Sequence, residues 1–167
     1  DQGLDLDQLE QHVARTGGVA EGPGDRITNA DLLAMEVDIL IPAAVEGVLT
    51  EENAGAVKAK LVVEAANDPI TPAGEQVLLD NGLPVVPDIL ANSGGVVASY
   101  VEWHQAKSGA ITRARETYHT VAEQLEAAFH RVSELAKEKR ISQRLAAQAV
   151  AVEELVATMK DRGWIPG

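Results

Sequence analysis

The chain has 167 residues, which is enough for one domain with a sizeable core, and its hydrophobic content of 46% is typical of a globular protein. Its formal net charge of −12 disfavours binding to nucleic acid or to anionic membranes, because both attract clustered Lys and Arg. No apolar run approaches the roughly 18 residues of a membrane-spanning helix, and no signal peptide is visible. Cysteine is absent, which excludes disulfides, thiolate metal sites and thiol catalysis, and which suits a cytoplasmic protein.

The N-terminal part predicts two short helices joined by a loop. Apolar residues at helical spacing from Leu6 onward indicate an amphipathic helix that ends at Gly17. Residues 19–25 are polar and rich in Gly and Pro, which indicates a loop. Asn29 is a residue type favoured at N-caps and predicts a helix over residues 31–35.

Three apolar runs predict buried strands over residues 37–41, 61–64 and 83–86, and Pro42 should end the first of them. Helical patterns lie between these runs. Short apolar strands that alternate with helices favour a parallel sheet with crossover helices.

Two helices are expected between the strands. Thr50 could cap a helix over residues 51–57. Thr71 followed by Pro72 is a stronger start, because Pro at the first helical position loses no needed hydrogen bond. That second helix should end at Asn81, which Gly82 follows.

The C-terminal part predicts two long helices. Apolar residues keep helical spacing over residues 118–136 and again over residues 145–159. Residues 140–142 form the break between them, with Ser142 as the cap of the second helix. The charged faces of these helices should be solvated or intersubunit surfaces.

The segment after the third strand has the features of a ligand-facing turn. In open parallel sheets, ligands bind just past the carboxyl ends of the strands. Gly94 and Gly95 would let the backbone approach a flat ligand closely. Asn92 and Ser99 are short groups that can hydrogen-bond an amide, a ribose or a carboxylate without adding charge.

Three segments carry a specific resemblance. Residues 38–46 read DILIPAAVE, residues 60–72 read KLVVEAANDPITP, and residues 87–100 read PDILANSGGVVASY. In order and spacing they resemble motifs of the glutamate dehydrogenase family, which includes the leucine, phenylalanine and valine dehydrogenases. Residues 162–166 are also similar to the end of these enzymes, so the resemblance spans nearly the whole chain.

The resemblance implies an NAD(P)-dependent amino-acid dehydrogenase. The implied reaction is the reversible oxidative deamination of L-glutamate to 2-oxoglutarate and ammonia, with NAD or NADP as cofactor. The implied fold is α/β, a partial Rossmann-like parallel sheet with crossover helices followed by long C-terminal helices. The complete protein is expected to be a homo-hexamer that binds these small molecules and neither nucleic acid nor membrane.

The resemblance also implies roles for single residues. The family's cofactor-contacting positions match Ala43, Ala44, Asn67, Asn92, Gly94 and Gly95, and its substrate-pocket positions match Val96 and Ser99. Structural alternatives remain open, because Asn92 could be a turn residue, Val96 a core residue and Ser99 a helix hydroxyl bonded to a carbonyl. Glu46 and Glu64 are expected to hold loops rather than to move protons.

Two parts expected of such an enzyme are missing. The nearest match to G-x-G-x-x-G is residues 22–27, where Ile27 replaces the third glycine and no strand precedes, so we predict a loop. The family's catalytic Lys and Asp belong to an N-terminal substrate domain, and no Lys of this chain lies in a matching motif. We therefore assign no catalytic residue, and the His spacing predicts no metal site.

These absences, and a first residue that is Asp rather than Met, suggest a fragment of a longer protein. Residues 1–110 would be the C-terminal part of a dinucleotide-binding domain without its first βαβ unit. Residues 111–167 would be a C-terminal helical segment. The contacts that choose between NAD and NADP would lie upstream.

Three departures from the family pattern keep other functions open. Ala65 stands where the family has Gly, Ser93 stands where it has Ala, and residues 104–109 lack its aromatic side chains. Ala65 and the altered segment 104–109 motivate a second hypothesis, a non-catalytic or regulatory paralogue in a glutamate dehydrogenase assembly. A third hypothesis is a free-standing interaction domain.

Overall fold

The computed structural model describes residues 3–111 and 113–166, which form two compact units that divide between Leu32 and Leu33. The first unit carries helix α1 (Leu6–Thr16). The Asp5 carboxylate caps α1 by accepting a hydrogen bond from the Gln8 amide at 3.0 Å. Gly17 ends the helix in the left-handed conformation with φ of 80°, so the predicted end of this helix is confirmed.

Thr28, and not Asn29, caps helix α2 (Asn29–Leu33), which runs across the boundary between the units. The Thr28 hydroxyl accepts from the Asp31 amide at 3.1 Å, and the Asp31 carboxylate accepts from the Thr28 amide at 3.1 Å. The prediction for Asn29 was wrong because this reciprocal pair satisfies the start of the helix one residue earlier. Residues 22–27 lie in an irregular loop, as predicted.

The second unit contains a parallel sheet in the order β1 (Ile39–Leu40), β2 (Leu61–Val63), β3 (Val85–Val86). Ile39 pairs with Leu61, and Val62 pairs with Val85. The order and direction confirm the predicted parallel sheet. The strands are shorter than predicted, because Pro42 follows β1 and Pro84 and Pro87 flank β3, and proline has no amide hydrogen to donate.

The segment between β1 and β2 differs from the prediction. Instead of a helix over residues 51–57, it forms turns and a short 3-10 helix, Ala54–Ala56. The Asn53 side chain accepts from the Thr50 amide at 2.8 Å and donates to the Val48 carbonyl at 2.8 Å. This local bonding competes with an α-helix for the same backbone.

The helix after Thr71 and the two long C-terminal helices follow the predictions, whereas the four-residue helix Asp88–Ala91 was not predicted. Thr71 caps α3 (Pro72–Asp80) by accepting from the Gly74 amide at 3.1 Å. After β3 come α4 (Asp88–Ala91), α5 (Gly94–Ser108), α6 (Ala114–Lys139) and α7 (Gln143–Asp161). The Ser142 side chain caps α7 by accepting from the Leu145 amide at 3.2 Å, which confirms the predicted break between the long helices.

Two clusters of buried apolar side chains hold the second unit together. The first lies between the sheet and α3 and contains Leu49, Ala54, Val62, Ile70, Leu78, Leu83 and Val85. The second joins α4, α6 and α7 and contains Leu90, Val132, Ala136, Ala146, Ala147 and Val150. Within residues 3–111 and 113–166, no helix is both long and apolar enough to cross a membrane.

Gly74 allows a close contact inside the first cluster. A methyl group at Gly74 would lie 2.8 Å from the Leu49 carbonyl oxygen, which is backbone and cannot turn away. We therefore expect Gly74→Ala to lower the free energy of unfolding by about 1–3 kcal/mol, measured by urea denaturation. The matched control is Gly55→Ala, whose methyl would meet Val77 at an ordinary 3.9 Å. Equal stabilities of the two variants would contradict this packing.

Candidate functional site

An open pocket of about 980 Å³ lies at the carboxyl ends of the three strands. The loops after β1 and β2 form one part of its wall, and α4 and the start of α5 form another. Its lining residues are Ala44, Val45, Glu46, Ala65, Ala66, Asn67, Ile89, Asn92, Ser93 and Val96. The pocket is therefore where parallel α/β sheets bind their ligands.

Asn67 and Asn92 meet across this pocket. The Asn92 amide nitrogen Nδ2 donates to the Asn67 oxygen Oδ1 at 2.7 Å. Asn92 follows α4 and Asn67 follows β2, so the bond joins two separate loops. It uses one donor hydrogen of Asn92 and one acceptor lone pair of Asn67. Each amide can therefore still hydrogen-bond a ligand, and the Asn92 side chain does not serve its own turn.

Small residues form the floor between the first two loops. The amides of Ala65 and Ala66 both donate to the Pro42 carbonyl, at 3.0 and 2.9 Å. These two hydrogen bonds to one carbonyl oxygen hold the loop after β1 against the loop after β2. Ala44 lines the pocket beside it, whereas Ala43 is exposed and does not belong to the lining.

The predicted residues of α5 do not all face the pocket. Val96 lines it and is 70% exposed, so the alternative that Val96 is a core residue is wrong. Ser99 lies on the same face, one helical turn further, and is exposed outside the lining. A methyl at Gly94 would lie 3.0 Å from Val121 of α6, so Gly94 permits close packing of α5 on α6. A methyl at Gly95 would meet no atom within 4 Å.

Sequence reasoning missed an ionic cluster directly behind the pocket. The Glu64 carboxylate, which is fully buried at the end of β2, accepts from Arg144 Nη2 at 2.7 Å to each oxygen. Arg144 Nε donates to Glu75 of α3 at 2.6 Å, and Nη1 donates to Asp88 of α4 at 3.0 Å. All four side chains are less than one-fifth exposed. We call Glu64, Glu75, Asp88 and Arg144 the Arg144 cluster.

The Arg144 cluster is continuous with the two loops of the pocket. Glu64 accepts from the Asp88 amide at 2.7 Å, and Asp88 accepts from the Asp68 amide at 2.8 Å. Asp68 has a left-handed backbone with φ of 45°, a conformation that non-glycine residues rarely adopt. Glu64 thus holds a loop, as expected. One signal was present in the sequence, an acidic residue at the end of a buried strand, which requires a cation partner.

The protonation of the cluster follows from burial and hydrogen bonding. Burial raises the pKa of the Glu64 carboxyl, and the bonds from Arg144 and the Asp88 amide offset this only in part. Burial also tends to raise the pKa of Asp88. The hydrogen bonds from the Asp68 and Ile89 amides, together with the Arg144 charge, outweigh burial, so the pKa of Asp88 is lowered. Burial alone would lower the pKa of Arg144, but its carboxylate partners raise it, so Arg144 stays charged.

No group of three His, Asp or Glu side chains with metal-binding geometry occurs in the part of the chain that the structure describes. His119 and His130 lie on α6, as predicted, and each is within 4 Å of a glutamate one turn away, Glu123 and Glu126 respectively. The lining of the pocket offers the two neutral amides, apolar side chains and one carboxylate, that of Glu46, to a ligand.

Comparison with known proteins identifies the family. The family model Glutamate/Leucine/Phenylalanine/Valine dehydrogenase matches residues 1–163. The chain belongs to this dehydrogenase family. It is 45% identical over 166 residues to the NADP-specific glutamate dehydrogenase of Saccharolobus shibatae. It is 42% identical over 164 residues to a cryptic catabolic NAD-specific glutamate dehydrogenase of Bacillus subtilis. These alignments cover 98% of this chain and 39% and 38% of the two relatives.

Solved structures of the dehydrogenase family share the fold. The hetero-hexameric glutamate dehydrogenase of Thermus thermophilus in its Leu-bound form superposes with a TM-score of 0.86 at 31% identity. The glutamate dehydrogenase of Peptoniphilus asaccharolyticus gives 0.79 at 33% identity. The superpositions cover 98% and 99% of this chain and 39% and 37% of those chains. The chain thus spans about two-fifths of the length of its dehydrogenase relatives.

The lowered pKa of Asp88 predicts a pH-dependent contribution to stability. Its ionised form stabilises the fold above the ordinary Asp pKa of about 4, and this contribution is lost as the pH falls through the folded-state pKa. Asp88→Asn should therefore lower the Tm most at neutral pH. The difference from the unsubstituted chain should shrink as the pH falls toward about 3.

Glu64 acts in the opposite sense, because its raised pKa makes the folded state bind a proton more readily. The Asp88 charge itself raises the pKa of Glu64, so the difference between the two melting curves reports this coupled pair of carboxyl groups. The same substitution at the exposed Asp161 serves as the control and should change the Tm little. A Tm difference for Asp88→Asn that is constant with pH would contradict the assignment.

Proposed function

We propose that this chain forms the nicotinamide side of the cofactor site in a glutamate dehydrogenase. That enzyme would catalyse the reversible NAD- or NADP-dependent oxidative deamination of L-glutamate to 2-oxoglutarate and ammonia. The observation that carries the proposal is the Asn67–Asn92 bond across a pocket at the carboxyl edge of a parallel sheet. Membership of the dehydrogenase family supplies the chemistry to be expected at that pocket.

The pocket fits a nicotinamide cofactor. Its volume of about 980 Å³ is within the ordinary range for small-molecule sites, and its floor is built of small side chains. When bound, the cofactor supplies the redox chemistry, a hydride exchanged with the substrate α-carbon. In our proposal Asn67 and Asn92 orient the nicotinamide end, and the small side chains of Ala43 and Ala44 let it lie close to the backbone.

The first turns of α5 complete the proposed site. Gly95 would leave room for the cofactor, whereas Gly94 allows α5 to pack closely on α6. Val96 and Ser99 would line the side on which the substrate binds. A hydroxyl at Ser99 is compatible with the distal carboxylate of glutamate, because it can donate one hydrogen bond. Proton transfer and the phosphate contacts are assigned to no residue of this chain.

The organisation of the complete protein is also part of the proposal. Residues 1–110 would belong to its dinucleotide-binding domain and residues 111–167 to a C-terminal helical segment. We propose a cytoplasmic homo-hexamer. The exposed Val152, Leu155 and Trp164 in and after α7 support association, since large apolar groups on a surface favour contact with another protein.

The complete polypeptide that carries this chain provides the test. We expect glutamate-dependent reduction of NAD or NADP, followed by the absorbance of the reduced nicotinamide. Leucine, phenylalanine and valine serve as competing substrates, and the two cofactors are compared at equal concentration. Turnover with another amino acid but not with glutamate would overturn the substrate assignment.

The 167-residue chain alone should have no dehydrogenase activity. The reason is chemical, because it contains neither a G-x-G-x-x-G phosphate cradle nor a Lys in the family's catalytic motif. The purified chain should show no reduction of NAD or NADP above a protein-free blank with any of the four amino acids. Measurable turnover that rises with the concentration of the chain would refute this prediction.

Substitution of Gly95 should have opposite effects on the stability of the fold and on cofactor binding. Its φ is not positive and a methyl would meet no protein atom within 4 Å, so Gly95→Ala should stabilise the fold by up to about 1 kcal/mol. In the complete enzyme the same methyl should raise the KM for the cofactor severalfold. Gly55→Ala is the control, with an unchanged KM. An unchanged KM for Gly95→Ala would exclude close approach of the cofactor at this residue.

A regulatory subunit is the second candidate, and one observation favours it. Ala65 lines the pocket and carries a methyl where the family has a glycine, which narrows the space for a ligand. A structural relative, the enzyme of Thermus thermophilus, is hetero-hexameric. Absence of turnover with every amino acid, together with retained assembly on an active partner subunit, would favour this candidate. Ala65→Gly should then restore cofactor binding.

A further inference from the structure

Both asparagine loops of the pocket are anchored at one guanidinium group. Glu64 lies three residues before Asn67 and holds Arg144 Nη2 at 2.7 Å. Asp88 lies four residues before Asn92 and holds Arg144 Nη1 at 3.0 Å. Arg144 belongs to the first turn of α7, which is far from both loops in the sequence.

We propose that Arg144 is a positioning residue that holds Asn67 and Asn92 in hydrogen-bonding register, so that α7 sets the geometry of the cofactor pocket. The expected effect of Arg144 on cofactor binding rests on the proposed function. Its expected effect on the two loops rests on the structure alone.

The path from Arg144 to the asparagines is short. Asp88 accepts from Arg144 with one oxygen, Oδ1, and from the Asp68 amide with the other, Oδ2, at 2.8 Å. Asp68 directly follows Asn67 and has the strained φ of 45°. Such a conformation persists only when its surroundings fix it. Loss of Arg144 would leave the Asp88 oxygen Oδ1 with the Ile89 amide as its partner, at 2.7 Å, and would remove the bond that ties Asp88, and through it the Asp68 amide next to Asn67, to α7.

Arg144 is not itself a ligand-binding arginine. Its Nε, Nη1 and Nη2 atoms each donate to a carboxylate, and its side chain is only 19% exposed. The cavity next to it, of about 630 Å³, is bordered by Glu46, Asp68 and Glu75, which would repel an anion. Arg144 therefore acts through the loops that it holds.

The chain offers a matched control. Arg131 of α6 also pairs with two carboxylates, Glu153 and Glu154 of α7, but it is half-exposed and holds no loop of the asparagine pair. Arg131→Met thus removes ionic bonds of an arginine to α7 without releasing Asp88 or Glu64.

The first experiment measures hydrogen exchange in the purified 167-residue chain, which needs no cofactor. We expect Arg144→Met, and to a smaller extent Arg144→Lys, to accelerate exchange of the Asp68 and Asp88 amides at least tenfold. The Val62 and Glu64 amides, which donate to the Pro84 and Val86 carbonyls within the sheet, should keep their protection. Uniform acceleration of all four amides, or of none, would overturn the positioning role. If Arg144→Met does not fold, Arg144→Lys decides.

The second experiment measures steady-state kinetics of the complete enzyme well below its Tm. Arg144→Met should raise the KM for the cofactor roughly tenfold or more, because displaced contacts weaken binding. Arg144→Lys should recover part of this loss, and the Arg131→Met control should remain within about twofold of the unsubstituted enzyme, because its ion pairs are largely exposed. A merely structural role would reduce the folded fraction and hence kcat, and would leave KM unchanged.

The two experiments separate the failure of this inference from that of the proposed function. If the unsubstituted complete protein has no cofactor-dependent activity, the proposed function fails and the exchange experiment still decides the role of Arg144. If it is active and Arg144→Met leaves the cofactor KM unchanged, the positioning role is overturned.

Discussion

One buried arginine joins three parts of the second unit that are distant in the sequence. Arg144 of α7 connects the end of β2, helix α3 and helix α4 through Glu64, Glu75 and Asp88. Taking these charges out of water is costly, so the cluster is weak evidence for stability by itself. Its contribution is geometric, because a planar guanidinium satisfies its partners only when each carboxylate lies in one position.

This constraint matters because the sheet is very small. Strands of two or three residues cannot by themselves fix the long loops that follow them. The backbone provides additional ties, from the Ala65 and Ala66 amides to Pro42 and from the Gly47 amide to Asp68. Together with the Arg144 cluster, these bonds hold the loops after β1 and β2 and helix α4 at one edge of the sheet, where the pocket forms.

The regular elements could be predicted wherever a local signal existed. The long C-terminal helices follow from apolar spacing and from the Ser142 cap, and α3 follows from Thr71 and Pro72. Predictions failed where a side chain competed with the backbone. The side-chain bonds of Asn53 stabilise turns where a helix was predicted, and the Thr28 hydroxyl caps α2 one residue before the predicted cap. These bonds depend on conformation that spacing alone does not specify.

The pocket was only partly predictable, for a physical reason. Asn67 follows the buried strand β2, and Asn92 lies beyond β3 and the short helix α4, and the carboxyl ends of parallel strands meet at one edge of the sheet. The partner of Glu64 lies 80 residues away, and no local pattern pairs them. Gly94 misled the prediction in another way. The sequence suggested that its lack of a side chain makes room for a ligand, but in the structure a methyl group at Gly94 would lie against Val121 of α6.

The Arg144 cluster also bears on the charge at this edge of the sheet. The formal net charge of the chain is −12, and the Glu64 and Asp88 carboxylates accept hydrogen bonds from the Asp88 and Asp68 amides. Without a cation beside them these carboxylates would be costly to bury, because burial disfavours the charged form. Arg144 compensates part of their charge, and its guanidinium is held by three carboxylates and is not among the pocket lining, in which Glu46 is the charged side chain. The polar groups at the Asn67–Asn92 bond are neutral amides, which can hydrogen-bond a ligand without the cost of desolvating a charge.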